Sequence, residues 1–257
     1  MNHRKWAVIT GASSGIGAEF AKQLSADGYD ILLVARRQDR LLEVQNSLNG
    51  HSEILVCNLA EQQEIRQLTE WIWKNQPVLL INNAGFGKCG EFAQSSVPDS
   101  DMIRVNVCAA HDLTLETLRM MEEQGCGNIL NVASSAGLLP CGPYMADYYA
   151  TKAFVTSMTM GIAEELRRKR SPVRIFCLCP GPVDTEFNEV AQVRFSIPGI
   201  TAEQCVRTAI RGMQRKNVLI VPSALVRTGL FLQRFVPREF VIRIVARSQK
   251  RKLASDR

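Results

Sequence analysis

The side chains best suited to chemistry are a tyrosine and a lysine four positions apart, Tyr148 and Lys152. On a helix, this spacing puts both side chains on one face. A nearby ammonium group favours the phenolate and would lower the pKa of the tyrosine from its usual value of about 10. Such a phenol can donate a proton to a carbonyl oxygen or remove one from an alcohol. Taken alone, a tyrosine and a lysine at this spacing are better explained as part of an exposed helix face. Other residues must therefore decide whether the pair is catalytic.

A glycine-rich segment, T-G-A-S-S-G-I-G at residues 10–17, lies between an apolar run and a helical pattern. Gly11 permits a tight turn, while Gly15 and Gly17 let the backbone approach a pyrophosphate and pack the helix on a sheet. The N-terminus of the helix then offers N–H groups and a partial positive charge to phosphate. The strand–turn–helix context favours a nucleotide site over an ordinary glycine-rich turn. Three further residues of the loop belong to this predicted site: Ser13, Ser14 and Ile16.

The end of the second apolar run indicates which dinucleotide binds. NAD sites commonly place a carboxylate there for the ribose 2′-hydroxyl, whereas this chain has Arg36 and Arg37. Guanidinium groups suit a 2′-phosphate, which favours NADP(H) over NAD. The alternative is that the two arginines only decorate a solvated turn.

The elements that must position these residues alternate along the chain. Predicted strands cover residues 6–9, 31–35, 54–57, 78–81, 128–132, 173–179 and 218–221. Predicted helices cover residues 16–24, 40–48, 65–73, 102–121, 148–168 and 202–213. Alternating strands and helices indicate βαβ units, one parallel sheet and right-handed crossovers that place helices on both faces.

Composition narrows the class of protein. A chain of 257 residues, 46% hydrophobic and 22% charged, suits one globular α/β domain. Eight scattered cysteines without a C-x-x-C pair, and three separated histidines, argue against a disulfide framework and against a metal site. The chain shows no secretory signal and no apolar run of about 18 residues. We therefore expect a cytoplasmic protein.

Further motifs follow in a fixed order: N-N-A-G at residues 82–85, Asn106 on the long helix, Ser135 after the fifth strand, Y-x-x-x-K, and P-G-P-V-D-T at residues 180–185. Together with T-G-x-x-x-G-x-G, this set resembles the short-chain dehydrogenase/reductase (SDR) family over most of the chain. The resemblance implies a single-domain Rossmann fold, with a doubly wound parallel sheet of about seven strands. Residues 1–222 would form the NADP(H)-binding catalytic domain, and residues 223–257 a basic amphipathic appendage of it.

The resemblance implies a catalytic tetrad of Asn106, Ser135, Tyr148 and Lys152. Tyr148 would transfer the proton and Ser135 would hold the substrate oxygen. Lys152 would also bind the nicotinamide ribose, and Asn106 would hold a water in the proton relay. Ser134 is adjacent to Ser135, but the family usually places the serine thirteen residues before the tyrosine, which selects Ser135.

The resemblance also implies cofactor contacts outside the glycine loop. Asn83, Ala84 and Gly85 would line the adenine-ribose side of the dinucleotide. The backbone of Val183 and the hydroxyl of Thr185 would fix the nicotinamide amide. The residues just before them, Pro180 and Gly181, complete this part of the expected site, while Tyr148 and Lys152 serve both cofactor and chemistry.

Two positions depart from the family pattern. Asn58 stands where the family commonly has an aspartate facing adenine, and its carboxamide oxygen could still accept from the adenine amine. Some NADP-specific relatives carry a basic residue at the position of Ser14, so more weight falls on Arg36 and Arg37. We expect Ser13 to help Arg36 hold the 2′-phosphate.

Substrate specificity in the family lies mainly in the loop after Gly181 and in the C-terminal segment. The loop is apolar, with Phe187, Val190, Val193, Phe195 and Ile197, which favours a hydrophobic ketone or alcohol. The tail mixes apolar and basic residues, and Pro237 should divide it into two helices. It fits a wall of the substrate site, an oligomer contact, or a helix on an acidic membrane surface; the first two together are favoured.

These patterns predict an NADP(H)-dependent oxidoreductase that interconverts a ketone or aldehyde and an alcohol, on a hydroxysteroid or 3-oxoacyl type of substrate. The alternative is a non-catalytic NADP(H)-binding sensor or interaction protein on the same fold. We expect a homodimer or homotetramer, with peripheral membrane contact through the tail as a further option. The basic residues lack a recognised nucleic-acid motif, so a nucleic-acid partner is not expected.

Overall fold

The computed structural model describes residues 5–94, 99–187 and 199–253. Seven parallel strands form one sheet in the order β3-β2-β1-β4-β5-β6-β9, and two short strands pair separately as β7-β8. The strands are β1 (Trp6–Thr10), β2 (Asp30–Ala35), β3 (Ser52–Val56), β4 (Leu79–Asn82), β5 (Asn128–Val132), β6 (Arg174–Leu178), β7 (Val183–Asp184), β8 (Ile200–Thr201) and β9 (Leu219–Ile220). The predicted doubly wound parallel sheet of seven strands is confirmed.

The α-helices among the described residues lie between and after these strands. They are α1 (Gly15–Ala26), α2 (Gln38–Asn46), α3 (Gln62–Asn75), α4 (Asp99–Ile103), α5 (Ala110–Gln124), α6 (Ala146–Lys169), α7 (Ala202–Gln214), α8 (Ala224–Leu232) and α9 (Arg238–Leu253). Pro237 lies between α8 and α9, where its ring stops a continuous helix.

The sheet is buried on both faces, which explains why its strands are continuous apolar runs. Ala7 and Ile9 of β1 pack with α1, α2 and α7, whereas Trp6 and Val8 pack with α3, α5 and α6. The parallel register sets Ile9 beside Leu33 on one side and Ile81 on the other. Alternate residues of each strand therefore build two separate hydrophobic layers.

The strand order reverses at β1, which lies between β2 and β4. In open parallel sheets, ligands bind in the crevice outside the carboxyl ends of the strands at such a switch point. The glycine loop follows β1, and Asn83 follows β4. Both segments therefore meet at this crevice.

One predicted helix has a different winding from the one expected. The sequence predicts a regular helix over residues 102–121, but residues Arg104–Ala109 form a π-helical segment between α4 and α5. Such segments are rare and occur often at functional sites. Asn106 lies in this wide turn and is fully buried.

Candidate active site

A cavity of about 400 Å³ opens at the carboxyl ends of β1, β4 and β5. It is lined by every residue of the predicted cofactor set except Gly17, and by Ser135, Tyr148 and Lys152 of the predicted tetrad. Asn106 lies behind the wall rather than on it, because its side chain is fully buried. Folding therefore brings together residues that are as far apart in sequence as Gly11 and Thr185.

The glycine loop is held against β4 by a set of short hydrogen bonds. Asn83 donates through Nδ2 to the carbonyl oxygen of Thr10 at 2.9 Å. The Thr10 hydroxyl accepts from the backbone N–H groups of Asn83 and Ala84, both at 2.9 Å. A Cβ on Gly17 would collide with the Gly11 carbonyl, so this approach requires glycine. Thr10 was not among the predicted site residues, although it precedes Gly11 in the motif.

The loop and the start of α1 fit a dinucleotide pyrophosphate. Gly11 and Gly15 adopt φ values of +65° and +54°, which turn the backbone tightly at the cavity edge. Ser14 is the N-cap of α1, with an extended backbone, and its side chain makes no capping hydrogen bond to the first turn. Uncapped N–H groups and the helix dipole together favour an anion. We therefore find that the residues present suit the cofactor that the fold implies.

Arg37 lies at the rim of the glycine loop. Its guanidinium donates to the hydroxyls of Ser13 and Ser14, both at 3.3 Å, and to the Glu186 carboxylate at 2.9 Å. This hydrogen bond to Arg37 holds the pKa of Glu186 below its usual value. Ser13 was predicted to assist Arg36, whereas in the structure its hydroxyl accepts from Arg37. Glu186 was missed because 149 residues separate it from Arg37.

Asn58 lines the cavity, as expected of the residue facing adenine. Its Oδ1 accepts from the backbone N–H of Ala60 at 3.2 Å, which closes a turn after β3. Its own backbone N–H donates to Glu64 at 2.6 Å. The side chain is therefore fixed by the turn, and one carbonyl lone pair is already engaged.

Of the two adjacent serines, Ser134 is the one whose side chain acts on the Tyr148 hydroxyl, and this interaction lowers the pKa of Tyr148. Ser135 begins a 3₁₀ turn, and its backbone N–H donates to the carbonyl oxygen of Pro180 at 2.8 Å. Counting thirteen residues back from Tyr148 crosses a loop whose length can vary by one residue. Counting forward from the end of β5 at Val132 would have given Ser134 equal weight.

Lys152 is almost completely enclosed, with 5% of its surface exposed. Its ammonium group donates to the carbonyl oxygen of Val132 at 2.9 Å and lies 6.0 Å from the centre of the Tyr148 ring. Burial lowers the pKa of Lys152 to about 8. The helical spacing of four therefore does place both side chains on one buried face of α6.

The pKa of Tyr148 differs from the expectation. Burial raises the pKa of Tyr148 to about 12, and the hydrogen bond from Ser134 only partly opposes this rise. The lowered pKa predicted from sequence takes account of the lysine charge but not of the removal of the phenol from water. In this structure, removal from water is the larger effect, and Tyr148 is a neutral phenol at pH 7.

Asn106 joins the π-helical segment to the loop after β4. Its Nδ2 donates to the carbonyl oxygen of Phe86 at 2.8 Å, and its Oδ1 accepts from the Phe86 N–H at 3.1 Å. Nδ2 also lies 3.2 Å from the Thr151 hydroxyl on α6. A Cβ on Gly85 would lie 2.9 Å from Asn106 Oδ1 and 3.1 Å from Lys152 Nζ. The glycine therefore lets the loop pass between these two side chains.

The side of the cavity next to Tyr148 is apolar and includes the C-terminal helix. Val241 and Val245 of α9 pack in one buried cluster with Tyr148 and Tyr149. Phe187 packs on this cluster, with its ring centre 5.6 Å from that of Tyr148. The other predicted loop residues, Val190, Val193, Phe195 and Ile197, lie outside the described residues.

Among the described residues, no helix combines the length and the hydropathy needed to cross a bilayer. In the same ranges, no group of three histidine, cysteine or acidic side chains is arranged to hold a metal ion.

The buried ammonium group of Lys152 should lower the free energy of unfolding of the protein. Its pKa of about 8 in the folded chain lies below the ordinary value of 10.5, so folding must pay for the charge at all pH values below 8. That cost shrinks as pH rises from 8 towards 10.5. Lys152→Met should therefore raise the free energy of unfolding of the cofactor-free protein by about 2 kcal/mol at pH 7, and by much less at pH 9.5.

Urea unfolding at the two pH values measures this difference. Lys74→Met, which removes an exposed lysine of α3, is the matched control and should show no such pH dependence. An equal stability change at pH 7 and pH 9.5 for Lys152→Met would contradict the assignment of a buried ammonium group.

Comparisons with known proteins agree with this geometry. A family model described as short chain dehydrogenase matches residues 5–193. The very-long-chain 3-oxoacyl-CoA reductase of Anas platyrhynchos is 30% identical over 231 residues, which cover 85% of this chain and 72% of the relative.

Two solved structures are similar along most of their length. A short-chain dehydrogenase from Sphingobium yanoikuyae in complex with NADPH is 28% identical, with a TM-score of 0.78, over 86% of this chain and 88% of that one. A bulky-bulky ketone specific alcohol dehydrogenase from Comamonas testosteroni is 25% identical, with a TM-score of 0.75, over 92% and 100%. The chain belongs to the short-chain dehydrogenase family, as an oxidoreductase that acts on CH–OH groups with a nicotinamide cofactor.

Proposed function

We propose that the protein is an NADP(H)-dependent reductase of apolar ketones or aldehydes, which also catalyses the reverse oxidation of the alcohol. The observation that carries this proposal is that Tyr148, Ser134 and the buried Lys152 line the dinucleotide crevice together, with the Lys152 ammonium 6.0 Å from the centre of the Tyr148 ring. A bound nicotinamide supplies the hydride to the carbonyl carbon, or accepts it from the alcohol.

Within this proposal, Tyr148 moves the proton. A neutral phenol is the form that donates a proton, so the raised pKa of Tyr148 suits the reduction of a carbonyl at neutral pH. The Ser134 hydroxyl is the second donor to the substrate oxygen. Ser134 thus takes the role that the sequence analysis gave to Ser135.

Lys152 and Asn106 support this pair from behind. The Lys152 ammonium stabilises negative charge on the phenol oxygen as its proton leaves. Asn106 fixes the backbone of Phe86 and thereby the loop that passes in front of Lys152. As in the expected relay, a water on the backbone beside Asn106 would bring a proton from solvent to Tyr148 after a reduction, and carry one to solvent after an oxidation.

The preference for NADP(H) rests on charge at the adenine-ribose end. Arg36 and Arg37 are both exposed at the end of β2 and line the cavity. The ion pair of Arg37 with Glu186 means that a 2′-phosphate must compete with a carboxylate for the same guanidinium. The relative from Sphingobium yanoikuyae, which was solved with NADPH, supports the same choice.

The apolar wall next to Tyr148 favours a hydrophobic substrate. Phe86, Met145 and Phe187 line the cavity with hydrocarbon, which suits a steroid ketone or a 3-oxoacyl chain. Two relatives, a very-long-chain 3-oxoacyl-CoA reductase and a bulky-bulky ketone specific alcohol dehydrogenase, point the same way. A non-catalytic sensor is less well supported, because it has no need of the buried lysine beside the tyrosine.

Turnover should depend on Ser134 and Tyr148. NADPH oxidation over a panel of steroid ketones, 3-oxoacyl thioesters and small aldehydes identifies the substrate class. With the best substrate, Tyr148→Phe should lower kcat by about 10²- to 10⁴-fold. Ser134→Ala should lower it by about 10²- to 10³-fold.

Ser135→Ala is the matched control for the serine assignment, and it should change kcat far less than Ser134→Ala. A larger loss in Ser135→Ala would return the role to Ser135. NADPH binding with no turnover of any ketone or aldehyde on the panel would favour the sensor.

Cofactor choice should respond to the charges around Arg37. Arg37→Gln should reduce the ratio of kcat/KM for NADPH over NADH by about tenfold to a hundredfold, the worth of one charge-assisted hydrogen bond. Glu186→Gln should raise the same ratio, because the competing carboxylate is removed.

Arg36→Gln, measured beside Arg37→Gln, shows which guanidinium contributes more to the preference. A wild-type protein that uses NADH at lower KM than NADPH would overturn the assignment of NADP(H).

We also propose that the tail contacts an anionic membrane surface. Seven of its apolar side chains are more than a third exposed: Leu225, Phe231, Leu232, Phe235, Val236, Phe240 and Ile244. Six exposed basic residues accompany them: Arg227, Arg234, Arg238, Arg243, Arg247 and Lys250. Glu239 is the one acidic residue between positions 223 and 250. Exposed apolar groups flanked by cations suit anionic lipid headgroups.

We assign the contact with a second copy of the chain to a different surface, the outer face of α6. Small residues, Ala150, Ala153, Ser157 and Gly161, line a shallow groove there beside Phe154. Small side chains let two helices approach closely, which supports the expected homodimer or homotetramer. These assignments are consistent with a cytoplasmic protein that binds reversibly to a membrane.

Vesicle sedimentation tests the membrane proposal. The protein should bind vesicles of phosphatidylcholine with phosphatidylglycerol at low salt, and bind less at high salt or to phosphatidylcholine alone. Phe235→Asp should weaken binding by at least about tenfold, because Phe235 is 74% exposed and could enter the lipid boundary. Leu42→Asp, on exposed α2, is the matched control.

Light scattering of the same samples without vesicles gives the oligomeric state. Absence of binding to anionic vesicles at low salt would overturn the membrane proposal. If Phe235→Asp lowers the molecular mass of the assembly, the tail is instead part of a subunit contact.

A further inference from the structure

The inner side of α9 carries a stripe of three residues spaced four apart, Val241, Val245 and Gln249. This spacing puts them on one helix face. The two valines are each 9% exposed and pack in one cluster with Tyr148 and Tyr149, which both line the catalytic cavity. The third position is a carboxamide that is only 5% exposed. The stripe therefore ends in a buried polar group at the same wall.

Half of the Gln249 carboxamide is engaged. Its Nε2 donates to the Tyr149 hydroxyl at 2.8 Å. Its Oε1 is buried and has no hydrogen-bond partner among the described residues. An unpaired buried acceptor costs free energy, and most buried polar atoms in proteins have a partner. Packing alone would be served better by leucine or methionine at this position.

Gln249 also lines the cavity that holds Tyr148 and Ser134. An unpaired acceptor on a residue that lines a substrate site is a place for a donor on the substrate, which would reach the enclosed Oε1 through a turn of the carboxamide towards the cavity. We propose that Gln249 is a specificity-determining residue, whose Oε1 accepts a hydrogen bond from a hydroxyl or amide N–H that the apolar ketone carries away from its reacting carbonyl. This inference rests on the proposed function and narrows its substrate class to ketones with a second, hydrogen-bond-donating group.

The two leading substrate types would present this donor differently. A steroid ketone can present a ring hydroxyl, whereas a 3-oxoacyl thioester can present the amide N–H of its carrier arm. Both place a donor beyond an apolar stretch, so the Gln249 subsite suits either. The experiment must therefore contain one arm for each source of the donor.

Matched substrate pairs test the proposal. The first arm compares linear ω-hydroxy-2-alkanones of increasing chain length with the 2-alkanones that lack the hydroxyl. The second arm compares 3-oxoacyl N-acetylcysteamine thioesters with S-alkyl thioesters that lack the amide. In one arm, wild-type kcat/KM should favour the donor-bearing member by about tenfold to a hundredfold, as expected for pairing one buried acceptor.

Variants assign this preference to Gln249. Gln249→Met keeps the volume but removes the acceptor, so KM should rise for the donor-bearing ketone and not for its partner. Gln249→Glu restores an acceptor and should restore the preference. Tyr149→Phe is the matched control, since it removes the partner of Nε2 and leaves Oε1 in place; the preference should survive.

The ratio of kcat/KM within each substrate pair is measured on the wild-type protein, so it tests the inference even if Gln249→Met fails to fold. Equal kcat/KM within every pair would overturn the inference, as would an unchanged preference in Gln249→Met. Failure of the proposed function is a different result, in which neither member of any pair is turned over.

Discussion

The constraint on which this active site depends is the burial of a lysine charge. Lys152 can be enclosed because the Val132 carbonyl accepts from its ammonium at the end of β5, and because Gly85 leaves room for it in front. The position of that lysine fixes the position of Tyr148 one turn earlier on α6. The strand end, the glycine and the helix face must therefore all be correct together. A charge in this environment is held at a cost in stability, which is a common exchange at catalytic sites.

Much of the fold could be predicted because burial leaves a direct trace in sequence. Strands covered on both faces become apolar runs, and T-G-x-x-x-G-x-G marks the turn that follows β1. Other features leave no such trace. The two-residue strands β7 and β8 are too short to show a period, and a π-helical turn hardly alters the spacing of apolar residues around it.

Contacts in the site could be predicted where both residues lie on one helix or strand. Contacts between residues far apart in sequence could not. Tyr148 and Lys152 share a helix face, so their spacing of four was enough. Choosing between Ser134 and Ser135 depended on the conformation of a loop. Gln249 approaches Tyr149 across 100 residues of sequence, and Glu186 approaches Arg37 across 149. The pKa of Tyr148 needed knowledge of its burial, which neighbouring sequence does not contain.

The π-helical turn at Arg104–Ala109 has a consequence for how the chain tolerates change. A wide turn holds one residue more than regular winding would, so the helix faces before and after it are offset by about 100°. Deleting a single residue there would let α4 and α5 merge into one regular helix and rotate Asn106 away from the Phe86 backbone. Substitutions on the solvent side would leave the winding unchanged. Apart from Asn106, length more than side-chain identity is therefore what this stretch of the chain must preserve.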